Sequence, residues 1–546
     1  MLWLKDFIGE LNEGILYPRW LAHSHYLYGS PVLVFYPPFC FFAGAAISKV
    51  FSLPIMQTST MMLAASAFGS GTFFYLCGRD RWGKLPAGLG ALMITTSPYL
   101  TVDIYVRGAM GELFAFSWLP LVLLSVDQVH LRRGKILLSL GFCLTALTHL
   151  PSLLIFGCAW LLRLAGCSVR TAGGVIRIRD NILYASLGLG CAAFFLLPVL
   201  IERRYVNIDA IRAFEVWKTN LFFYPDFRGF FMLPSIAIKS SLLALILTWL
   251  TGAQRAGLTT FKLRWNEPLQ WLFLNLLSLF LMSKLSYWIW HYSVPLQFLQ
   301  YPWRWMMINV FTTAVLSAIC LKSLVQSASR IYFKSIVKIL FLAVLVQNLA
   351  TDFFITRFRS GLDNPETFII ENQSALALGE FGRYNMPAVL RQNEGYAGVP
   401  EYTPLGGIDC MSARRILPRT KPEQPLFKYL SGAGIISATR LGAYERLFSV
   451  DAYQPMKVLF RTYYYPGWHL YVDGLETSIE QGADGEILIT AAKGRHDYRL
   501  VYEDTTAFKL GLFLSFVSGL LLASLVWRSS TRSSAPRSPS VPSKHL

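Results

Sequence analysis

Charge is scarce in this chain. Only 15% of its 546 residues are Asp, Glu, Lys or Arg, where a soluble domain carries about 25%. Hydrophobic residues make up 54% and aromatics 15%, and the mean hydropathy is +0.42. Those values exclude an ordinary soluble enzyme. Repeated apolar runs near the length of a bilayer crossing instead predict a polytopic α-helical membrane protein. Acid is scarcer than base, 32 residues against 50, leaving a formal net charge of +18. The basic residues lie mainly in short loops between apolar runs, the positive-inside pattern, so no nucleic-acid partner is expected.

Paired cysteines are also missing. There are eight cysteines, and most (Cys77, Cys143, Cys158, Cys191, Cys320) fall inside apolar runs, where they act as small hydrophobes. No CxxC or Cys/His spacing is present, so neither a structural disulfide nor a zinc site is expected. No cleavable signal peptide is visible, because "MLWLKDFIGELNEG" is amphipathic and acidic, with no basic start or apolar core. No internal repeat is found.

What is there is a ladder of spans, expected near 55–77, 85–101, 110–126, 135–149, 151–166, 182–201, 231–252, 268–283, 304–321, 336–351 and 507–527. The basic loops "RDRWGK" (79–84) and "HLRRGK" (130–135), and those at 163–179, 255–264 and 322–338, then fall on one side with the tail after Arg528. That side is read as cytoplasmic. The other side receives 102–109, the junction at His149, 202–230, 284–303 and 352–506. The run "PVLVFYPPFCFFAGAAISKVF" (31–51) stays open between a span and a broken segment along the interface, because Pro37 and Pro38 interrupt it.

The domain expectation is a multi-span region over 1–351, an extracytoplasmic domain over 352–506, a last transmembrane helix over 507–527 and a disordered basic cytoplasmic tail over 528–546. Residues 352–506 are polar and rich in Gly and Pro. From Met456 to Asp504, β-branched and aromatic residues alternate between turn signals at Pro466–Gly467, Asp473–Gly474, Asp484–Gly485 and Lys493–Gly494, which predicts a small antiparallel sandwich.

Within this apolar chain, "YLTVDIYVRGAMGELFAF" (99–116) puts Asp103, Arg107 and Glu112 within a few residues of each other. On the reading above they share one extracytoplasmic face with His149 and Arg304, and with Arg19 if 31–51 lies along the interface rather than spanning. Arginines there suit a lipid phosphate, since the guanidinium fork matches phosphate oxygens. A carboxylate beside them suits a general base or a ligand of a divalent cation. Each residue has a plainer reading as well. Asp103 and Arg107 are spaced as a helix-surface ion pair. Glu112 suits a helix N-terminus, His149 a cap, and Arg304 a snorkelling helix end.

The motifs "LYPRWLAHSHYLYGSPVLVFYPPF", "SPYLTVDIYVRGAMGE", "LTHLPSLL" and "LQYPWRW" resemble those of a bacterial polytopic family labelled 6-pyruvoyl-tetrahydropterin synthase-related. Its architecture is similar to GT-C glycosyltransferases, and "YYYPGWHLYVDG" followed by a final span resembles the ending of YfhO-like members of the same broad group. The resemblance implies a bacterial inner-membrane protein of GT-C-like fold with a C-terminal β-rich domain. It would transfer sugar from a polyprenyl-phosphate-linked donor to an extracytoplasmic glycan or envelope polysaccharide. Arg107, Arg304 and Arg19 would hold the phosphate, with His149 a secondary contact. Glu112 or Asp103 would position a metal or the acceptor, a divalent cation being the implied cofactor. The resemblance also favours the interfacial placement of 31–51. The family has a first span and an acidic outer loop before this region, and Asp6 does not stand where that acidic residue would, so either a further span and loop precede Met1 or this form lacks part of the machinery. The rivals are a non-catalytic membrane scaffold and a lipid or polysaccharide transporter. Lys239, inside a span, is the main feature favouring a transporter.

Overall fold

Residues 2–25, 27–168, 174–213, 215–225, 232–256, 266–326, 331–360, 404–405 and 426–533 are described by a computed structural model. The longer helices, in order, are α1 Leu2–Asn12, α2 Phe39–Phe51, α3 Ile55–Trp82, α4 Lys84–Thr95, α5 Met110–Leu123, α6 Arg132–Thr148 and α7 Leu150–Ser168. They continue with α8 Gly174–Cys191, α9 Ala193–Glu202, α10 Met232–Ala256, α11 Glu267–Met282, α12 Met306–Gln326, α13 Ile331–Ser360 and α14 Thr506–Ser533. Among the described residues, five segments are long and apolar enough to cross a membrane: Ile55–Trp82, Leu150–Ser168, Met232–Gly252, Pro302–Gln326 and Thr506–Arg528. α8 and α9 together are apolar enough for one more, but are bent by 78° at Ala192, as in a broken span or a re-entrant loop. The expected 336–351 span lies inside the 30-residue α13, and the remaining expected spans are shorter helices; α4 has 12 residues and α5 has 14, each about 20 Å of rise against a hydrocarbon core of about 30 Å. The last helix runs to Ser533, so the tail expected to begin at 528 continues it for several residues; 534–546 lie outside the described residues.

α12 is the hub. It packs against α4, α10 and α11, and nearly every residue from Met306 to Cys320 is buried. A helix apolar on all sides belongs inside a bundle, and α12 pins its neighbours through polar groups. Asn275 Nδ2 of α11 donates to Thr312 and Thr313 Oγ1, both at 3.0 Å, and Asn309 Nδ2 donates to Ser241 Oγ of α10 at 2.9 Å. With no water in the bilayer core, such side chains must find one another.

The helix ends gather at two poles. At one, Asp127 takes Arg81 and Arg163, Glu267 lies 3.3 Å from Arg81, and Lys322 donates to the Arg81 carbonyl at 2.9 Å. At the other lie Tyr99, the 102–112 connection, His149 and Arg304. Arg81, Arg163 and Lys322, from three of the loops expected to share a side, thus meet; the expected loop at 255–264 lies almost wholly outside the described residues.

The 31–51 segment is broken. Val32–Phe35 is one short turn, Pro37–Pro38 interrupt it, and α2 follows. α2 folds back on α1: Phe41 meets Phe7 at 5.5 Å, and Leu4, Phe7, Phe41, Met62 and Phe114 share one apolar cluster. The chain therefore enters and leaves this segment beside the same cluster.

Among the described residues the first strand lies earlier than the sequence suggests, at Phe427. Its strands are β1 Phe427–Ser431, β2 Gly434–Leu441, β3 Glu445–Ala452, β4 Met456–Tyr463, β5 Trp468–Val472, β6 Leu475–Thr477, β7 Glu480–Gln481, β8 Glu486–Ala491 and β9 Gly494–Tyr502. Two antiparallel sheets, β1-β4-β8-β7 and β2-β3-β9-β5-β6, face one another. Alternate residues fill the space between them, including Phe448, Val450, Val458, Phe460, Ile487, Ile489 and Leu500. The expected turn at Asp473–Gly474 joins β5 to β6, with positive φ at both residues (50° and 84°), as a tight hairpin requires.

The N-terminal segment completes this sandwich. Trp20 is fully buried and touches Trp468 at 5.4 Å and Tyr502 at 5.6 Å. Tyr28 O accepts from Tyr463 N at 2.8 Å. Gly29 is required: its φ is +78°, and a Cβ would lie 2.4 Å from the Trp20 indole nitrogen.

Candidate functional site

The stretch "YLTVDIYVR" folds as a short α-turn, Pro98–Thr101, running into a π-helical turn, Val102–Arg107. The wider π-turn sets Asp103 and Arg107 on one side of the helix, and the Arg107 guanidinium binds the Asp103 carboxylate. π-turns are rare and concentrate at functional sites. Gly108, with φ of 62°, ends the turn and redirects the chain into α5.

Glu112 is the third residue of α5, where the helix dipole favours a carboxylate. The side chain is buried and fully engaged. Arg107 approaches it through Nη1 at 3.2 Å and Nη2 at 2.9 Å. Arg304 Nε donates to Oε2 at 3.2 Å, and the Tyr99 hydroxyl donates to Oε1. Arg304 stands in a 3-10 turn, Pro302–Trp305, that leads into α12, and its Nη1 also donates to the Leu299 carbonyl. Tyr301 and Trp303 lie 6.0 Å from the Arg107 guanidinium, and Tyr301 lies 5.2 Å from that of Arg304. With both carboxylates ionised, two negative and two positive charges balance. Burial pushes the Asp103 pKa upward from its ordinary value, and Arg107 opposes that shift.

His149 ends α6 with extended backbone, and its Nδ1 lies 2.8 Å from Ser152 Oγ. It borders the cluster through Gly111, where a Cβ would come within 3.2 Å of the Thr148 carbonyl and 3.4 Å of His149 Cδ2. The structure therefore brings Asp103, Arg107, Glu112 and Arg304 together, with His149 alongside.

Arg19 is placed elsewhere. Its guanidinium pairs with Asp504 and lies 4.0 Å from the Phe508 ring, while its backbone N–H donates to the Tyr444 hydroxyl. It fastens the N-terminal segment to the β-domain and the last helix, and none of its contacts is a contact of Arg107. Reading "YPRW" from sequence as facing a phosphate overlooked Trp20, whose burial in the β-domain fixes which way the segment turns.

Tyr99 was missed, although it opens the motif and donates to the central carboxylate. So was the opposite pole, where Arg163 is buried, binds Gln270 and Asp127 and lies 4.5 Å from the Trp271 ring. Its loop carried only a topological signal in the sequence.

A divalent cation does not fit the cluster as it stands. Both oxygens of Glu112 face guanidinium groups, and two fixed positive charges oppose a third cation. Among the described residues no group of three or more His, Cys, Asp or Glu side chains is arranged to hold a metal.

No curated protein matches the chain. No solved structure matches it either. A family model described as "6-pyruvoyl-tetrahydropterin synthase related domain; membrane protein" matches residues 33–356. That interval covers more than half of the sequence and contains the whole Asp103–Arg107–Glu112–Arg304 cluster, and the chain belongs to this family of membrane proteins.

Proposed function

We propose that the protein is a GT-C-like glycosyltransferase of the bacterial inner membrane. In this reading it moves a sugar from a polyprenyl-phosphate carrier to a hydroxyl of an extracytoplasmic glycan. The observation that carries the reading is Glu112, held by arginines from two separate elements with a second carboxylate beside it, at one end of a membrane bundle. The opposite pole collects Arg81, Arg163 and Lys322 from three basic loops, which supports an extracytoplasmic placement of the cluster.

The chemistry follows from exchange of ion pairs. A lipid phosphate arriving at the cluster competes with Glu112 for Arg304 and Arg107, whose planar forks suit its oxygens. Nη2 of Arg304 makes none of the bonds described above and is the first donor open to it. Glu112 or Asp103, once released, accepts the proton of the acceptor hydroxyl. The hydroxyl oxygen attacks the anomeric carbon, and the bond from that carbon to the phosphate oxygen breaks. The electron pair leaves with the lipid phosphate, where the arginines stabilise the developing charge. His149 borders the acceptor side, and the β-domain contributes acceptor binding. No step needs a metal.

A specific observation favours a second reading, the non-catalytic scaffold. The cluster is neutral and its central carboxylate is satisfied, as a structural staple would be. One substitution pair separates the two. Glu112→Gln or Arg304→Gln alone leaves an uncompensated buried charge, at a cost of about 3–5 kcal/mol, so either lowers membrane abundance. The double variant restores neutrality. In a strain lacking the gene, the double variant is expected to reach near wild-type abundance yet leave the envelope glycan defective. A restored glycan would make the cluster a staple.

A further inference from the structure

Next to the turn that carries Tyr99, a cavity of about 570 Å³ opens among α4, Ser97–Pro98, α10, α12 and α13. Its unusual member is Lys239, exposed to the cavity within a segment apolar enough to cross a membrane. Lys239 stands seven residues into α10, about 10 Å along the helix. An ionisable residue at such a position costs stability and marks a functional site by default, with its partner to be named. Among the described residues no carboxylate pairs with Lys239.

The walls say what the partner is. Ser235, Gln347, Asn348 and Thr351 offer uncharged hydrogen-bonding groups around the amine, with no acidic side chain in the lining. Ser240 and Thr313, also in the wall, bond each other at 2.8 Å. Met232, Leu243 and Val344 make the remainder apolar. One cation, several neutral polar groups and an apolar remainder suit a single anionic head on an apolar chain. The helix packing supplies an entrance: α10 packs on α12, and α13 on the Pro98–Thr101 turn, yet α10 and α13 scarcely touch.

We infer that this cavity binds the phosphate head of a membrane lipid, with the Lys239 amine as its counter-ion and the acyl or prenyl chain leaving between α10 and α13. The lining holds none of Asp103, Arg107, Glu112 and Arg304, and the inference does not depend on sugar transfer. Lysine suits it because a compact ammonium on a long stem can follow a phosphate that enters laterally.

The test uses the full-length protein purified in mild detergent and read by native mass spectrometry. The probes are dioleoylphosphatidylglycerol, polyprenyl phosphate, neutral polyprenol and dioleoylphosphatidylcholine, against wild type, Lys239→Gln and Lys239→Arg. Wild type and Lys239→Arg are expected to retain one equivalent of acidic lipid that Lys239→Gln loses, with affinity falling at least about tenfold, the scale of one charge-assisted contact. Lys239→Gln should melt at the same temperature as wild type or higher, since it removes an uncompensated amine from an apolar segment. Equal retention of phosphatidylglycerol and polyprenyl phosphate identifies a general acidic-lipid site, and preference for polyprenyl phosphate identifies a carrier site; both support the inference. Unchanged acidic-lipid binding in Lys239→Gln, or retention of polyprenol equal to that of polyprenyl phosphate, overturns it. The Glu112→Gln/Arg304→Gln double variant should keep the Lys239-dependent equivalent, so failure here and failure of the transfer reading are distinguishable.

Discussion

Tyr99 shows how much of the cluster's geometry rests on one hydroxyl. Its phenol donates to Glu112 Oε1, the oxygen that Arg107 Nη1 also approaches. Tyr99→Phe should cost about 1.5–3 kcal/mol, the range for a hydrogen bond to a charged group, read as a lower melting temperature of the purified protein. Glu112 keeps its arginines, so membrane abundance should fall less than in Glu112→Gln. The charged members of the cluster were legible in the sequence because charge is conspicuous in an apolar chain. Tyr99 was not, because it is one of 26 tyrosines and only the fold aims its hydroxyl. Arg19 was misplaced for the opposite reason. Its charge was plain, but the contact that positions it, Asp504, lies 485 residues away.

At the scale of elements, the N-terminal segment is a strap between the helices and the β-domain. Glu10 in α1 is buried there, accepts from Ala22 N at 3.4 Å, and leaves Oε2 without a hydrogen-bond partner. Burial first, and Asp6 second, raise its pKa well above the usual carboxylate value. The folded protein thus keeps a proton that the unfolded chain has released above about pH 4.3. Fewer protons bound in the unfolded state means that stability falls as pH rises from there toward the folded-state pKa. Glu10→Gln removes this term, so its melting temperature should be less pH-dependent than wild type and no lower at neutral pH. A variant melting well below wild type at pH 7 would show that the ionised form is the one stabilised. The later strands of the β-domain were readable because β4, β8 and β9 bury alternate apolar residues. β1 and β2 were not, because they are largely exposed and lack that contrast. Pro37 and Pro38 predicted a break in 31–51, but not that α2 would lie back on α1.

For the molecule as a whole, the charge of the loops predicts which helix ends meet, and Arg81, Arg163 and Lys322 do meet at one pole. A membrane, and with it the absolute orientation, enters through the positive-inside argument. A reporter fused after Gly482, in the β-domain, should behave as extracytoplasmic, and one after Lys135, beside the Arg81–Asp127 pole, as cytoplasmic. The reverse pattern would place the Glu112 cluster on the cytoplasmic face and remove the proposed acceptor.

The central claim is that the Glu112 cluster receives a lipid phosphate, and photocrosslinking tests it most directly. A polyprenyl phosphate carrying a photoreactive group beside its phosphate would be irradiated with the full-length protein in detergent, and the labelled peptides sequenced. Label is predicted within residues 99–112 and 299–305, and it should disappear in the charge-balanced Glu112→Gln/Arg304→Gln variant. Label absent from both peptides, or unchanged in that variant, would contradict the account.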